Sequence, residues 1–322
     1  MGETVADLGE NALVARIISR IGRPRPQRVP LGPGDDAAVL ACPDGRVVLT
    51  TDVLIEGRHF RRDWSSAGDV GHRCVAESLA DVAAMGARGR GVVIGLGIPP
   101  DLEVEWVDEF LAAATEECAR AGADLVGGDV VSSDTVVVSV TATGDLEGRA
   151  PVTRAGAVPG DVLAVAGRLG WAAAGLAVLS RGFRSPRALV EAHRRPEPPY
   201  ASGVLAAKSG ATAMMDVSDG LILDATRMAH ASGVALDIDS SSLPLGEPVV
   251  TAAAAYHVDP LTWVLGGGDD HALLATFPAG GRLPKGFAAI GRAREPGESA
   301  VLVDGEVPGT DPGYEHFRVR RG

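Results

Sequence analysis

Acidic residues set in glycine- or hydroxyl-rich turns recur along this chain and constrain it most. Gly-Asp-Asp stands at 34–36, Thr-Thr-Asp at 50–52, Gly-Gly-Asp at 127–129, Asp-Val-Ser-Asp at 216–219 and Gly-Gly-Gly-Asp-Asp at 266–270. Asp81 sits alone in the apolar run Ser-Leu-Ala-Asp-Val-Ala-Ala-Met-Gly-Ala. A carboxylate enters a core only if it is paired or liganding. Carboxylates beside tight turns suit hard cations that bridge to phosphate oxygens. Divalent-metal phosphate chemistry is therefore the first expectation.

The length of 322 residues favours about two domains. Hydrophobic residues make up 46% and charged residues 22%, enough apolar material for sizeable cores. The net charge of -12, from 30 Lys+Arg against 42 Asp+Glu, argues against a nucleic-acid partner, which needs a basic footprint. No apolar run reaches the roughly 18 residues of a membrane span. Residues 1–11 are acidic without an apolar signal core, so a cytoplasmic protein is expected. Cys42, Cys74 and Cys118 are far apart, with neither zinc spacing nor a disulfide framework, and read as reduced thiols.

Leu13, Ile17, Ile18 and Ile21 fall at helical spacing and predict an N-terminal helix, broken by Pro24, Pro26 and Pro30. Strands are expected at 37–41 and 47–51 around Pro43-Asp44-Gly45, then a helix over 70–85 and a strand at 91–98. A helix over 102–121 follows Pro99 and Pro100 and stops at Gly122. A short strand at 124–126 precedes Gly-Gly-Asp, and a β-branched strand spans 135–143. Gly148, Pro151, Gly156, Pro159 and Gly160 mark a seam, which divides the chain into domains 1–148 and 149–322. The second half predicts strands at 162–166, 213–217, 235–238, 272–277 and 300–303. It also predicts helices at 171–179 and 221–231 and a basic, proline-bearing connection at 184–199. Strands alternating with helices in both halves give an α/β class with α+β layering.

Taken singly, the motifs leave two readings open. Gly34-Asp35-Asp36, Gly127-Gly128-Asp129 and Gly266–Asp270 serve equally as solvated turns, and Thr50-Thr51-Asp52 as a strand-end cap. Asp81 is either a ligand or a solvent-face residue of its helix. His59, in Glu56-Gly57-Arg58-His59-Phe60, is either a substrate contact or a packing residue. Asp216–Asp219 passes from a strand into a helix, where free N–H groups can meet phosphate. Ser218 or Asp219 could equally cap that helix. The chain lacks Gly-x-x-x-x-Gly-Lys-Ser/Thr, a strand–Gly-x-Gly-x-x-Gly–helix unit and the protein-kinase signatures, which removes the common nucleotide folds.

In order, these segments resemble the thiamine-monophosphate kinase family, part of the superfamily of aminoimidazole ribonucleotide synthetase, selenophosphate synthetase and the hydrogenase-maturation protein HypE. The matching stretches are Gly-Asp-Asp-Ala-Ala-Val (34–39), Thr-Thr-Asp-Val-Leu-Ile-Glu-Gly-Arg-His-Phe (50–60), Ser-Leu-Ala-Asp-Val-Ala-Ala-Met-Gly-Ala (78–87) and Gly-Gly-Asp (127–129). They continue with Thr-Arg-Ala-Gly-Ala-Val-Pro-Gly-Asp (153–161), Met-Asp-Val-Ser-Asp-Gly-Leu (215–221) and Gly-Tyr-Glu-His-Phe (313–317). The resemblance implies a two-domain aminoimidazole ribonucleotide synthetase-like fold whose N-terminal sheet pairs across a homodimer. It implies an N-terminal domain for ATP, Mg2+ and dimerisation, and a C-terminal domain completing the active site. The implied reaction is direct transfer of the ATP γ-phosphoryl group to thiamine monophosphate, assisted by several Mg2+ ions.

By the same resemblance, Asp36, Thr50, Thr51, Asp52, Asp81, Asp129, Asp216 and Asp219 match metal-binding positions. Gly128, Asp129, Arg154 and Ser218 match ATP contacts, and His59 and Asp269 match substrate contacts; Tyr314 is the candidate for a C-terminal aromatic. Where the family carries Gly-Gly-Glu-Asp-Tyr-Glu-Leu, this chain has Gly267-Gly268-Asp269-Asp270-His271-Ala272-Leu273. Asp269 is thus one methylene short, and His271 replaces a tyrosine.

The rivals are another ATP-dependent synthetase of the superfamily and a non-catalytic nucleotide- or metal-binding relative. Residues 1–11 and the helix after them offer no cysteine for selenophosphate chemistry, and Arg320-Arg321-Gly322 offers no terminal cysteine for HypE-like chemistry.

Overall fold

The computed structural model describes residues 3–8, 10–21, 27–29, 40–310 and 312–314. The Gly-Asp-Asp motif with Asp36 and residues 315–317 lie outside the described residues. So does most of the strand expected at 37–41, whose described members Leu40 and Ala41 are not in a strand. The chain divides into two compact units, one of residues 1–83 and 87–150, the other of residues 84–86 and 151–322.

The first unit runs α1 (Val5–Leu8), α2 (Glu10–Ile21), β1 (Val48–Ile55), α3 (Ala67–Ala84), β2 (Arg88–Ile98), α4 (Val104–Ala121), β3 (Asp124–Ser132) and β4 (Val137–Asp145). Its strands form one sheet in the order β1-β4-β2-β3, with β2 and β3 parallel and the other pairs antiparallel. Alternate residues face opposite sides of such a sheet. Thr50, Asp52 and Leu54 of β1 share a side with Val138, Val140, Ile94 and Leu96, and that side is covered. Leu49, Thr51, Val53, Val93 and Val131 face the other side, which is open in the single chain. Glycine sets the spacing of α3 and α4: a Cβ on Gly71 would fall 2.1 Å from the Phe110 carbonyl oxygen. Gly122, at φ 81, ends α4 in the left-handed region, as expected of a helix stop.

The second unit runs β5 (Val162–Ala166), α5 (Trp171–Ser180), α6 (Arg187–Arg194), α7 (Tyr200–Lys208), β6 (Ala213–Val217), α8 (Leu221–Ser232) and β7 (Ala235–Ile238). It continues through a 3-10 turn (Ser240–Ser242), α9 (Glu247–Tyr256), α10 (Pro260–Gly266), β8 (Ala272–Phe277), β9 (Phe287–Arg294) and β10 (Val301–Val303). Its mixed sheet has the order β10-β7-β9-β5-β8-β6, parallel only at β10–β7. β6 and β8 are buried along their whole length, apolar apart from Asp216 and Thr276. Among the described residues no helix is long and apolar enough to cross a membrane.

Among the differences from the sequence expectation, three concern the acidic motifs and the connection at 184–199. Gly127-Gly128-Asp129 is not a turn after a strand; β3 continues through it to Ser132. The ladder shifts register between Val92 and Val93, and a Cβ on Gly128 would lie 2.1 Å from the Ile94 carbonyl oxygen, so only glycine allows this approach. The connection at 184–199 contains α6. Neither Ser218 nor Asp219 caps α8, whose N-cap is Gly220 without a side-chain hydrogen bond.

Candidate active site

In the first unit, β1 and α3 bring two acids together with two hydroxyls. Thr50 and Asp52, two apart on β1, project toward α3, where Ser78 and Asp81 are one helical turn apart. Thr50 Oγ1 donates to Asp81 Oδ2 at 2.6 Å, and Ser78 Oγ donates to Asp52 Oδ2 at 2.8 Å. Asp81 therefore faces the sheet rather than solvent. Ser78, fully buried, was not anticipated; a serine three residues before an acid on an otherwise apolar helix was the available signal.

Thr51 and Asp129 lie on the other side of this sheet. Thr51 Oγ1 donates to the Val140 carbonyl at 2.9 Å. Asp129 is exposed, pairs in register with Gly95, and its Oδ1 accepts its neighbour Val130 N–H at 2.9 Å. The sheet thus separates these two from Asp52 and Asp81. After β1, His59 Nδ1 accepts the Ile55 N–H at 2.9 Å, which puts the proton of a neutral ring on Nε2. Glu56 is held by Arg62, Thr135 and the Val136 N–H, and these contacts keep its carboxyl below the usual range against the opposing effect of burial.

In the second unit two of the acidic motifs are clasped together. β6 and β8 pair up to Val217–Ala272, and the antiparallel bonding continues beyond the strands. The His271 N–H donates to the Val217 carbonyl at 3.0 Å and the Asp269 N–H to the Ser218 carbonyl at 2.8 Å. A Cβ on Gly268 would stand 2.3 Å from that Ser218 oxygen, so the glycine is required for the clasp. Asp269 (φ 67) and His271 (φ 51) both occupy the left-handed region, uncommon for residues with a side chain. Between them, the buried Asp270 carboxylate accepts the Ala172 N–H at 2.9 Å and the Trp171 N–H at 3.1 Å, anchoring the loop on the N-terminus of α5. Burial pushes Asp270 up to about 7, against the lowering effect of these N–H groups.

Asp216 and His271 are 4% and 5% exposed, and His271 Nδ1 lies 3.0 Å from Asp216 Oδ2. Asp224, fully buried in α8, accepts the Asp219 and Gly220 N–H groups at 2.9 and 3.1 Å and so fixes the turn that carries Asp219. Arg227 Nη1 bridges Asp219 Oδ2 at 2.5 Å and Asp224 Oδ1 at 2.6 Å. Burial, and then the charge of Asp216, push Asp224 up to about 6. Sequence reading passed over Asp224 because its neighbours read as core. An acid in the first turn after an Asp-Gly step was the signal that could have found it. Tyr314 donates its N–H to the Asp219 carbonyl at 2.9 Å, so the C-terminal segment lies on the same turn. Arg154 is anchored elsewhere: its carbonyl accepts Ser232 Oγ at the last residue of α8.

Asp216, Ser218, Asp219, Asp269 and Tyr314 are thus brought together in one unit, and Thr50, Asp52 and Asp81 in the other. The donors are carboxylate and hydroxyl oxygens, the set that suits Mg2+ rather than a softer metal. In the second unit the carboxylates of Asp216, Asp219 and Asp224 outnumber the single Arg227 guanidinium, which leaves negative charge for a cation to offset. Cys74 and Cys118 are buried, which pushes both thiols up and makes them poor nucleophiles.

Residues 34–146 match the family model for the AIR synthase related protein, N-terminal domain, and residues 158–266 that for its C-terminal domain. The thiamine-monophosphate kinase of Mycobacterium tuberculosis is 47% identical over 98% of this chain and 93% of its own. A solved complex, AaThiL with AMPPCP and TMP, superimposes with a TM-score of 0.80 at 34% identity, over 97% of this chain and 98% of that one. Hydrogenase maturation protein HypE in complex with ATP shares the fold, with a TM-score of 0.75 at 20% identity over 93% of each chain. With such identity sustained along nearly the whole of both chains, and the two AIR synthase-related domains in the same order, this chain belongs to the thiamine-monophosphate kinase family.

Proposed function

We propose that this chain transfers the γ-phosphoryl group of ATP to thiamine monophosphate, yielding thiamine diphosphate and ADP, with several Mg2+ ions held by its carboxylates. The observation that carries this reading is the clasp gathering Asp216, Ser218, Asp219 and Asp269, in a chain 47% identical to a thiamine-monophosphate kinase. The relative solved with AMPPCP and TMP supports both a nucleotide and an acceptor site.

The chemistry asks for what these residues offer. The acceptor is a phosphate monoester with a second pKa of about 6, mostly dianionic at neutral pH, so no strong general base is required. The obstacle is repulsion between this dianion and the triphosphate. Mg2+ bound by these carboxylates would supply charge neutralisation between the two phosphate groups. Asp36, Thr50, Thr51, Asp52, Asp81, Asp129, Asp216 and Asp219 would hold the ions. Asp224 fixes the turn that presents Asp219. Gly128, Asp129, Arg154 and Ser218 contact the nucleotide, and Arg154 offers positive charge to the transferred group. His59, Asp269 and Tyr314 contact the thiamine. The domain of residues 1–148 carries the dimer contacts, His59, Gly128 and the first group of metal-binding positions, and that of 149–322 completes the site with Arg154, Asp216, Ser218, Asp219, Asp269 and Tyr314. The working form is a cytoplasmic homodimer.

Asp52→Asn and Asp216→Asn test the reading. Each is expected to lower the rate of thiamine diphosphate formation by about 100-fold or more and to raise the Mg2+ requirement. Normal rates with a normal Mg2+ dependence in both would overturn the metal assignment. Release of inorganic phosphate with a modified acceptor would instead identify a synthetase.

A further inference from the structure

We propose that His271 is a positioning residue that fixes the Asp216 carboxylate for divalent-cation binding. The inference rests on the metal reading of Asp216 above.

The geometry is over-determined. The His271 backbone is pinned by its N–H on the Val217 carbonyl, directly after the residue it serves. Its left-handed φ of 51 is set between β8 and the Asp270 anchor on α5, where the ring meets Asp216. A carboxylate can only accept, so His271 Nδ1–H donates to Asp216 Oδ2 at 3.0 Å. This contact fixes the rotation of the Asp216 carboxyl group and directs the cation to Oδ1.

The choice of donor matters as well. Arg227 is engaged by Asp219 and Asp224, whereas on Asp216 the donor is the His271 ring. An imidazole donates a hydrogen bond without requiring the full positive charge of a guanidinium, so it orients the carboxylate without neutralising it. Partners that orient metal-binding groups in this way are worth about 10- to 100-fold in metal affinity.

The test is Mn2+ binding to the full chain with AMPPCP, followed by electron paramagnetic resonance, so that no turnover is needed. His271→Gly accepts the left-handed backbone and removes the donor. It is expected to weaken Mn2+ binding about 10-fold or more, while His271→Asn, which keeps an amide N–H near the position of Nδ1, stays close to wild type. Should the glycine variant lose its cooperative melt, His271→Ala, which removes the donor with less strain at this φ than a branched side chain, is compared with His271→Asn instead. Wild-type Mn2+ affinity in the donor-less variant, with weakened binding in Asp216→Asn, overturns the positioning role alone. Wild-type affinity in Asp216→Asn overturns the metal reading, and this inference with it.

Discussion

Asp270 shows how one carboxylate can hold a loop and make stability depend on pH. It meets the first N–H groups of α5, which favour the anion, yet burial dominates and pushes the group from 3.8 up to about 7. Because the folded value exceeds the unfolded one, its contribution to stability is fully present below 3.8 and is lost as pH rises through about 7. Asp270→Asn cannot ionise and should lack that slope. It should be about 1 kcal/mol less stable than wild type near pH 4, having lost one acceptor. The deficit should narrow or reverse toward pH 7.5. Urea unfolding of both proteins across this range reads the difference directly; parallel profiles would contradict the assignment. Asp224 shifts in the same direction, up to about 6, but its removal has another consequence. Asp224→Ala leaves the Asp219 and Gly220 N–H groups without their acceptor and deprives Arg227 of a buried partner. Roughly 3 kcal/mol of stability should be lost, visible in the urea midpoint.

At the level of elements, one pair of glycines separates helix propensity from packing. On propensity alone, alanine at either position in α3 should stabilise by about 1 kcal/mol. A Cβ at Gly68 meets the movable Glu109 side chain at 3.1 Å, whereas one at Gly71 meets the Phe110 backbone oxygen at 2.1 Å. Gly68→Ala should therefore be near neutral, and Gly71→Ala should destabilise by about 2 kcal/mol as the helices are forced apart; equal urea midpoints would refute this. The same contrast between local signal and packing governs what could be read beforehand. β5, β6, β7 and β8 were legible because short apolar runs stand between glycine and polar breaks. α6, α7, α9 and α10 were not: prolines precede or begin them, and α7 and α9 are alanine-rich without a clear apolar stripe. β9 was missed because Gly291, Arg292 and Arg294 break its alternation. For the candidate site, residue types and order were legible in the motifs. The faces were legible only in part: strand alternation alone sets Thr51 against Asp52, whereas the side taken by Asp129 depends on strand pairing and on the shift at Val92 and Val93, neither of which a local pattern encodes.

For the whole molecule, the open side of the first sheet bears on assembly. An antiparallel sheet facing water normally alternates apolar-in with polar-out. Here Leu49 and Val131 are 65% and 54% exposed, and Val53 and Val93 stand with them around Thr51, Ser139 and Thr141. Apolar side chains left exposed among hydroxyls on one sheet face suit an interaction surface, and the homodimer proposed above supplies an occupant of matching character, a second copy of the same face. Asp129 sits on this side as well, in register with Gly95, Ser139 and Val53. If the face pairs, Asp129 is held at the subunit boundary, while Asp52 and Asp81 stay on the helix side of their own sheet. Sedimentation should therefore give twice the 33.0 kDa of one chain. Val53→Glu with Val93→Glu should shift it to the single chain, because like charges on a buried face repel and lose solvation. The doubly substituted chain should keep the cooperative unfolding of its second unit, which these residues do not belong to. It should also lose nucleotide affinity, since Asp129 lies on the same face. A wild-type chain that sediments at 33.0 kDa, or a substituted one that remains doubled, would leave the apolar side without its proposed occupant and would detach Asp129 from any role at a shared boundary.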